Sequence, residues 1–528
     1  MIVTRETDPV PHRPSRRPNI LLITLDQFRA ECLGSAGHPL VQTPNLDRLA
    51  AQGVRFANHF SNCAPCAPAR ASLLTGLWQS NHRVTNNGAP LSDALPMLPR
   101  QLRAAGYDPT LFGYTDTALD PATLDADDPR RTSYEEPMPG FALGVALTDD
   151  IGPWIEWLAV HGYDRPEHHG DIYEPADIDI PEGRGASWRP TRYAAEHSEA
   201  AFLTEAALEW LGSPDRGTDP WCAHVSYLRP HPPYIVPAPY NDMFDPADVA
   251  PPVRQPTPED EAAVHPFLAG ALAIVPSPAD DLDQRQLQAT YYGMIAEVDH
   301  WVGELLDGFD RLGAADDTIV VLTADHGEQL GDHWLVEKMG FFDQSYRIPL
   351  IIRSPALIHE PGRVVDAFTE AVDIAPTLLD LSGVDPSGFC DGASLRAFLE
   401  APHEPPSRWR EAVHWEYDFR EPGSDLIEVI FGIRQDQCAL SVIRDRHGKY
   451  VQFAGGLAPL FFDLDDDPGE LHDLVRATAD DRPGEVSARL FDYAQRLLVL
   501  LMEHTDPRLA NTRATGFGTV YRSDPPRF

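Results

Sequence analysis

Three short stretches carry residues whose types and spacing can do chemistry. The first is Cys66-Ala-Pro-Ala-Arg70-Ala-Ser-Leu-Leu-Thr75-Gly76, in which a thiol precedes a proline and an arginine. Pro68 is tolerated in a first helical turn, and Ala69 to Leu74 continues as a good helix. Cys66 then stands at a helix N-terminus, where free amides and the dipole favour an anion. Arg70 lies one turn along, placed to fork onto anionic oxygens or onto the nucleophile itself. Two other readings compete. A buried cysteine is commonly inert. Cys63-Ala-Pro-Cys66 is also a Cys-x-x-Cys, the form of a redox pair or half a zinc site, but no second cysteine pair accompanies it.

The second and third stretches each place two potential metal ligands after a continuous apolar run. Asn19-Ile-Leu-Leu-Ile-Thr24 leads into Asp26-Gln27, and Thr318-Ile-Val-Val-Leu-Thr323 leads into Asp325-His326-Gly327. Such runs mark strands buried on both faces of a sheet. Ligands of open α/β sheets bind at the carboxyl ends of the strands, so the two pairs can meet at one divalent cation. Two carboxylates, an amide oxygen and an imidazole balance its charge. The nitrogen donor favours manganese, with calcium or zinc as alternatives. Taken singly, Asp26 reads as a helix cap and Asp325-His326 as a polar turn. Both pairs, taken with Cys66, make a site.

The elements that must position these residues follow from periodicity. Weaker strands are expected at Tyr107 to Phe112, Trp221 to Leu228 and Ile348 to Arg353. Leu287, Tyr291, Met294, Ile295, Val298, Trp301, Val302 and Leu305 recur at helical spacing, with Gly313 as the stop. Strands alternating with helices predict an α/β fold, a largely parallel sheet covered on both faces. Proline and acidic residues dominate Asp120 to Asp179 and Tyr240 to Pro278, which read as long surface excursions. After about Pro405, strands at Ala412 to Phe419, Gly432 to Val442 and Tyr450 to Phe462, then a helix from Val486 to His504, predict a smaller antiparallel α+β subdomain. The expected division is a tail at 1–17, a catalytic domain at 18–405, a subdomain at 406–505 and a tail at 506–528.

Composition narrows the partners. The 528 residues carry 42 Lys and Arg against 81 Asp and Glu, a formal charge of −39. Such a chain repels phosphate backbones and anionic membranes, so neither nucleic acid nor membrane is an expected partner. No apolar leader or spanning run is present, and six scattered cysteines form no disulfide framework. The expected location is the cytoplasm.

The motifs resemble those of the sulfatase branch of the alkaline phosphatase superfamily. Cys66-x-Pro-x-Arg70, Asn19 to Gln27, Thr43-Pro-Asn-Leu-Asp-Arg-Leu-Ala50 and Thr323-Ala-Asp-His-Gly327 stand in the family's order across roughly Pro18 to Leu399. The chain departs from the ordinary arylsulfatase pattern twice. After Gly113-Tyr114 the Gly-Lys-Trp-His stretch is missing, and the metal pairs are Asp-Gln and Asp-His in place of Asp-Asp and Asp-Asn. Both departures resemble the phosphonate monoester hydrolases, whose members also cleave phosphodiesters and sulfate monoesters.

This resemblance implies an alkaline-phosphatase-like sheet and a formylglycine made from Cys66 by a formylglycine-generating enzyme. It implies one divalent metal held by Asp26, Gln27, Cys66, Asp325 and His326. Arg70, Asn87, Tyr114, His231 and Lys338 match the family's substrate-facing shell, and Asp116 falls where the subgroup often has a hydroxyl residue. Each has an ordinary alternative: His231 a rigid turn, Lys338 a solvated loop lysine, Tyr114 a core aromatic. The implied substrate is a small anionic ester. The hydrate attacks sulfur or phosphorus, Lys338 and Arg70 stabilise the non-bridging oxygens, and His231 is the acid for the departing alcohol. The base for hydrate breakdown is left to Tyr114, Asp116 or water. A homo-oligomer, a tetramer built through 506–528, is also implied. A dedicated arylsulfatase or choline-sulfatase-like enzyme is the alternative, followed by a two-metal phosphatase or phosphomutase and a non-catalytic binding protein.

Overall fold

Both apolar runs become adjacent central strands of an eight-stranded sheet. In chain order its strands are β1 (Asn19–Leu25), β2 (Val54–Phe60), β4 (Asp108–Gly113), β5 (Ala142–Ala146), β6 (Trp221–Tyr227), β7 (Thr318–Ala324), β8 (Leu350–Arg353) and β9 (Arg363–Glu370). The spatial order is β5-β4-β6-β1-β7-β8-β2-β9. All described neighbours run parallel except at β8, which is antiparallel to both β7 and β2. The computed structural model describes residues 17–505 apart from 149, 218, 386–389, 401–405, 407, 422 and 478–482, together with 512–516 and 518–521. Most of the N-terminal tail and most of the tail at 506–528, with its expected oligomer contact, lie outside the described residues.

Continuous apolar runs arise here because each central strand feeds two cores. Leu21, Ile23 and Leu25 of β1 and Val320, Leu322 and Ala324 of β7 enter one core, under the long helix Asp281–Arg311. Ile20, Leu22, Ile319 and Val321 enter the other, with Ala67, Ala71, Leu73, Leu74 and the helix Ile374–Leu381. Burial of each Leu, Ile or Val contributes about 1.5–3 kcal/mol, so both faces fix the strand in register. The long helix starts where the Asp280 side chain accepts from the Leu282 and Asp283 amides, and the chain turns at Gly313 with φ of 70°.

Several expected elements take a different form. The excursion at Asp120 to Asp179 contains edge strand β5 and the helix Gly152–Val160. Gly144 there lies against the Phe112 ring so closely that a Cβ would sit 2.3 Å from it. Tyr240 to Pro278 contains the helices Pro258–Val264 and Pro266–Ile274. In the C-terminal part, β10 (Val413–Asp418), β11 (Ala439–Arg444), β12 (Gly448–Phe453) and β13 (Leu460–Asp463) form an antiparallel sheet. The stretch from Gly432 reaches its strand only at Ala439, after a turn at Gln435–Gln437.

This second sheet has an additional member. Strand β3 (Cys63–Ala64), the two residues that lead towards Cys66, pairs in parallel with β10, Cys63 with Glu416 and Ala64 with Tyr417. Phe60, Ala64, Phe341, Phe342 and Tyr346 also share one core with Val413, Trp415, Val442 and Phe462. The C-terminal sheet is therefore packed into the approach to Cys66. No helix among the described residues is long and apolar enough to cross a membrane.

Candidate active site

Register brings the ligand pairs together. Leu25 of β1 pairs with Ala324 of β7, so Asp26 and Asp325 leave neighbouring strand ends side by side. The helix α1 (Cys66–Thr75) presents Cys66 as its first residue at the same edge. Oxygen, sulfur and nitrogen atoms of Asp26, Cys66, Asp325 and His326 all lie within 4.8 Å of one another. Cys66 Sγ is 3.1 Å from His326 Nε2 and 4.0 Å from Asp26 Oδ1, and His326 Nε2 is 3.8 Å from Asp26 Oδ1 and 3.9 Å from Asp325 Oδ1.

The donor chemistry fits a cation. His326 Nδ1 lies 3.1 Å from the Gly327 carbonyl, which only accepts, so the ring proton is assigned there and Nε2 offers its lone pair to the cluster. The Gln27 amide is also at the site: its backbone N–H donates to Asp325 Oδ1 at 3.1 Å and its Oε1 accepts from Lys338 Nζ at 2.8 Å. Two carboxylates, an imidazole nitrogen and an amide oxygen would hold a divalent ion of the manganese or zinc type.

Arg70 is turned to these carboxylates. Its Nη2 donates to Asp26 Oδ2 at 2.9 Å and its Nε to Asp325 Oδ2 at 3.0 Å, while Asp116 Oδ2 is 3.4 Å away. Nη1 donates to the Tyr114 carbonyl and to Ser226 Oγ. The guanidinium thus takes one oxygen of each carboxylate and leaves the other towards Cys66 and His326. Burial pushes the Asp26 carboxyl up, but His231, Arg70, His326 and Lys338 overcome this and hold it well below the usual carboxylate range. The Tyr114 hydroxyl also donates to Asp26, and its ring lies 4.0 Å under Arg70 Cζ. Burial pushes Asp116 up to about 7 against the pull of Arg70, with Asp26 and Asp325 adding to the rise.

Lys338 and His231 form the opposite wall. Lys338 Nζ lies 3.1 Å from His231 Nε2, and His231 Nδ1 lies 2.7 Å from the Pro232 carbonyl. The imidazole therefore donates from Nδ1 and accepts from the ammonium at Nε2. Burial and the Lys338 charge hold it down to about 3. Asn87 stands at the helix start, its Oδ1 accepting the Ala67 amide at 2.9 Å, where it caps α1. Burial and Asp26 push the Cys66 thiol well above its ordinary value, against Lys338. Cys63 Sγ faces Ser72 Oγ at 3.3 Å, so the two cysteines have separate partners.

Glu328 was not legible as a site residue. Its carboxylate accepts from Gln27 Nε2, the Tyr234 hydroxyl and the Leu330 and Glu337 amides. Burial pushes it up to about 7, and each of those four bonds pulls it back. Ser226 was missed as well. Its signal was a hydroxyl near the carboxyl end of the wholly buried strand Trp221–Tyr227.

Comparison with known proteins gives the family. The Sulfatase family profile matches residues 18–384, and the profile of the N-sulphoglucosamine sulphohydrolase C-terminal region matches residues 331–492. The chain belongs to the sulfatase family, within the alkaline phosphatase superfamily, and is an ester-bond hydrolase. It is 39% identical to the multifunctional alkaline phosphatase superfamily protein PehA of Trinickia caryophylli, over 96% of this chain and 99% of that one. The crystal structure of the phosphonate monoester hydrolase of Agrobacterium radiobacter superposes with a TM-score of 0.89 at 43% identity, covering 96% of this chain and 100% of that one. Phosphonate monoester hydrolase SpPMH from Silicibacter pomeroyi follows with a TM-score of 0.87 at 36% identity, covering 96% and 99%.

Proposed function

We propose that the chain hydrolyses phosphonate monoesters, phosphodiesters and sulfate monoesters, with a formylglycine formed from Cys66 as nucleophile and one divalent cation. The observation that carries this reading is the position of Cys66 Sγ at the first residue of α1, inside the cluster of Asp26, Asp325 and His326. Relatives named as phosphonate monoester hydrolases and as a multifunctional superfamily member support the substrate range.

Asp26, Gln27, Asp325 and His326 would hold the cation, which when bound supplies positive charge that lowers the pKa of an adjacent hydroxyl. The formylglycine hydrate would offer that hydroxyl. Arg70 orients the ligand carboxylates, so its contribution to the reaction is to fix their free oxygens. Lys338 stands beside His231 and Gln27, where its ammonium can take charge building on a non-bridging oxygen. An anionic ester bound against Lys338 offsets the charge that depresses His231, and so raises the imidazole's hold on a proton for the departing alcohol. For the hydrate's second proton we favour Asp116 as the acceptor, since its carboxyl sits near 7 beside Arg70.

The test is kcat/KM on an aryl phosphonate monoester, a bis-aryl phosphate and an aryl sulfate, with protein co-expressed with a formylglycine-generating enzyme. Turnover of all three, lost together in Cys66→Ala, supports the reading. Turnover of aryl sulfate alone would replace it with a dedicated arylsulfatase.

A further inference from the structure

The Glu328 carboxylate touches three segments of the site: those carrying Gln27, His231 and Lys338. Its Oε1 accepts the backbone amides of Leu330 and Glu337, each at 2.7 Å. Its Oε2 accepts the Tyr234 hydroxyl at 2.9 Å and Gln27 Nε2. Gln27 follows β1, Glu337 precedes Lys338, and Tyr234 lies three residues beyond His231. The side chain is fully buried, and four donors fill its two oxygens.

A glutamine amide has an oxygen at one end and an NH2 at the other, with nearly the same shape either way round. A neighbour that only accepts hydrogen bonds decides between the two. Glu328 draws the NH2 end, leaving Oε1 as the atom Gln27 turns to Lys338 at 2.8 Å. We propose that Glu328 is a positioning residue that fixes the amide orientation of Gln27 and so makes Gln27 an oxygen ligand. This rests on the metal-dependent reading above. It adds the requirement that an oxygen, and not an NH2 group, faces the cation.

Two variants separate this from ordinary packing. In Glu328→Gln the new amide keeps the Leu330 and Glu337 amides on its oxygen only by turning its own NH2 towards Gln27. Gln27 then either rotates, setting its NH2 against the Lys338 ammonium and the metal, or stays with two NH2 groups facing each other; either way its oxygen is no longer held in place. In the exchanged pair Gln27→Glu with Glu328→Gln, the new NH2 donates to a carboxylate at position 27, and the Tyr234 oxygen can accept its second hydrogen. The bond is rebuilt with donor and acceptor reversed, and an oxygen again faces the metal.

The experiment is calorimetric titration of Mn2+ into metal-depleted wild type and both variants at pH 8, with thermal melts alongside. Glu328→Gln is expected to raise the Mn2+ Kd about 10–100-fold, the size typical when an outer partner of a ligand is lost. The exchanged pair is expected to recover most of that loss. Wild-type Kd in Glu328→Gln, or an exchanged pair binding no better than Glu328→Gln, overturns the proposal. Should Glu328→Gln fail to fold, the exchanged pair decides: folding with Mn2+ binding supports the proposal, and failure of either overturns it. Wild-type protein that binds no Mn2+ sinks the manganese reading of the site and this proposal with it. Binding in wild type with no effect of the variants sinks this proposal alone.

Discussion

Lys338 Nζ donates to Gln27 Oε1 at 2.8 Å across 311 residues of chain. The bond joins the loop after β7 to the end of β1, and the same ammonium lies 3.1 Å from His231 Nε2. An amide oxygen and an imidazole nitrogen thus meet at one amine.

Lys338→Met keeps the aliphatic stem and removes the charge. Its kcat/KM on an aryl phosphonate monoester should fall about 10²–10³-fold, as when one preorganised donor is lost from a transition-state site. Far-UV circular dichroism should be unchanged. Wild-type kcat/KM in this variant would exclude Lys338 from substrate.

Arg70→Ala tests the carboxylate hub. The guanidinium is 1% exposed and touches Asp26, Asp116 and Asp325, so its removal leaves buried negative charge without a partner. Unfolding free energy should drop by about 3–5 kcal/mol in metal-free protein, read from urea midpoints. Added divalent cation should restore part of it, since the cation replaces the missing positive charge. A variant as stable as wild type without metal would show that the hub is not held by Arg70.

Three buried histidines outside the ligand cluster predict acid sensitivity. Burial holds His59, His82 and His224 each down to about 3, with Arg410, Arg83 and Arg70 respectively adding to the fall. Unfolded, each titrates near its ordinary value of about 6.5. Between those values the unfolded chain binds more protons, so this stability is complete above about pH 6.5 and is lost as pH falls towards 3. The slope is about 1.4 kcal/mol per pH unit for each histidine well inside that range. Urea midpoints at pH 7, 6 and 5 measure it. His82→Gln, which can still meet Ser72, should lower that slope by about 1.4 kcal/mol per pH unit relative to wild type.

Truncation after residue 405 should abolish folding of the remainder. It removes β10, the partner of β3, and exposes Phe60, Phe341, Phe342 and Tyr346. Expression of 1–405 should give insoluble protein or protein without a cooperative melt. A soluble, cooperatively melting product would make the C-terminal sheet dispensable.

What could be read beforehand follows from how local each feature is. Asp26 and Asp325 were legible because β1 and β7 are buried on both faces and read as continuous apolar runs, with ligands directly after them. The reversed direction of β8 was not legible, since Ile348 to Arg353 has the same composition either way and the returning loop sets its direction. Strand β3 is two residues long and exists only because β10, some 350 residues later in the chain, lies beside it. Edge strand β5 was hidden because its residues are half-buried or exposed and its neighbours are proline-rich and acidic. Arg70 was placed correctly in the sequence at one helical turn from Cys66, but only the fold turns it onto Asp26 and Asp325. Glu328 gave no periodic signal, because its function is to receive four bonds from segments that meet in space.

The most direct measurement is the mass of the peptide spanning Cys66, from protein co-expressed with a formylglycine-generating enzyme. Conversion exchanges the sulfur for oxygen with loss of two hydrogens, and the resulting aldehyde forms a hydrazone with a hydrazide probe. That mass and that adduct are expected, in proportion to phosphonate monoester turnover. Full turnover by protein whose peptide retains the Cys66 sulfur would contradict it.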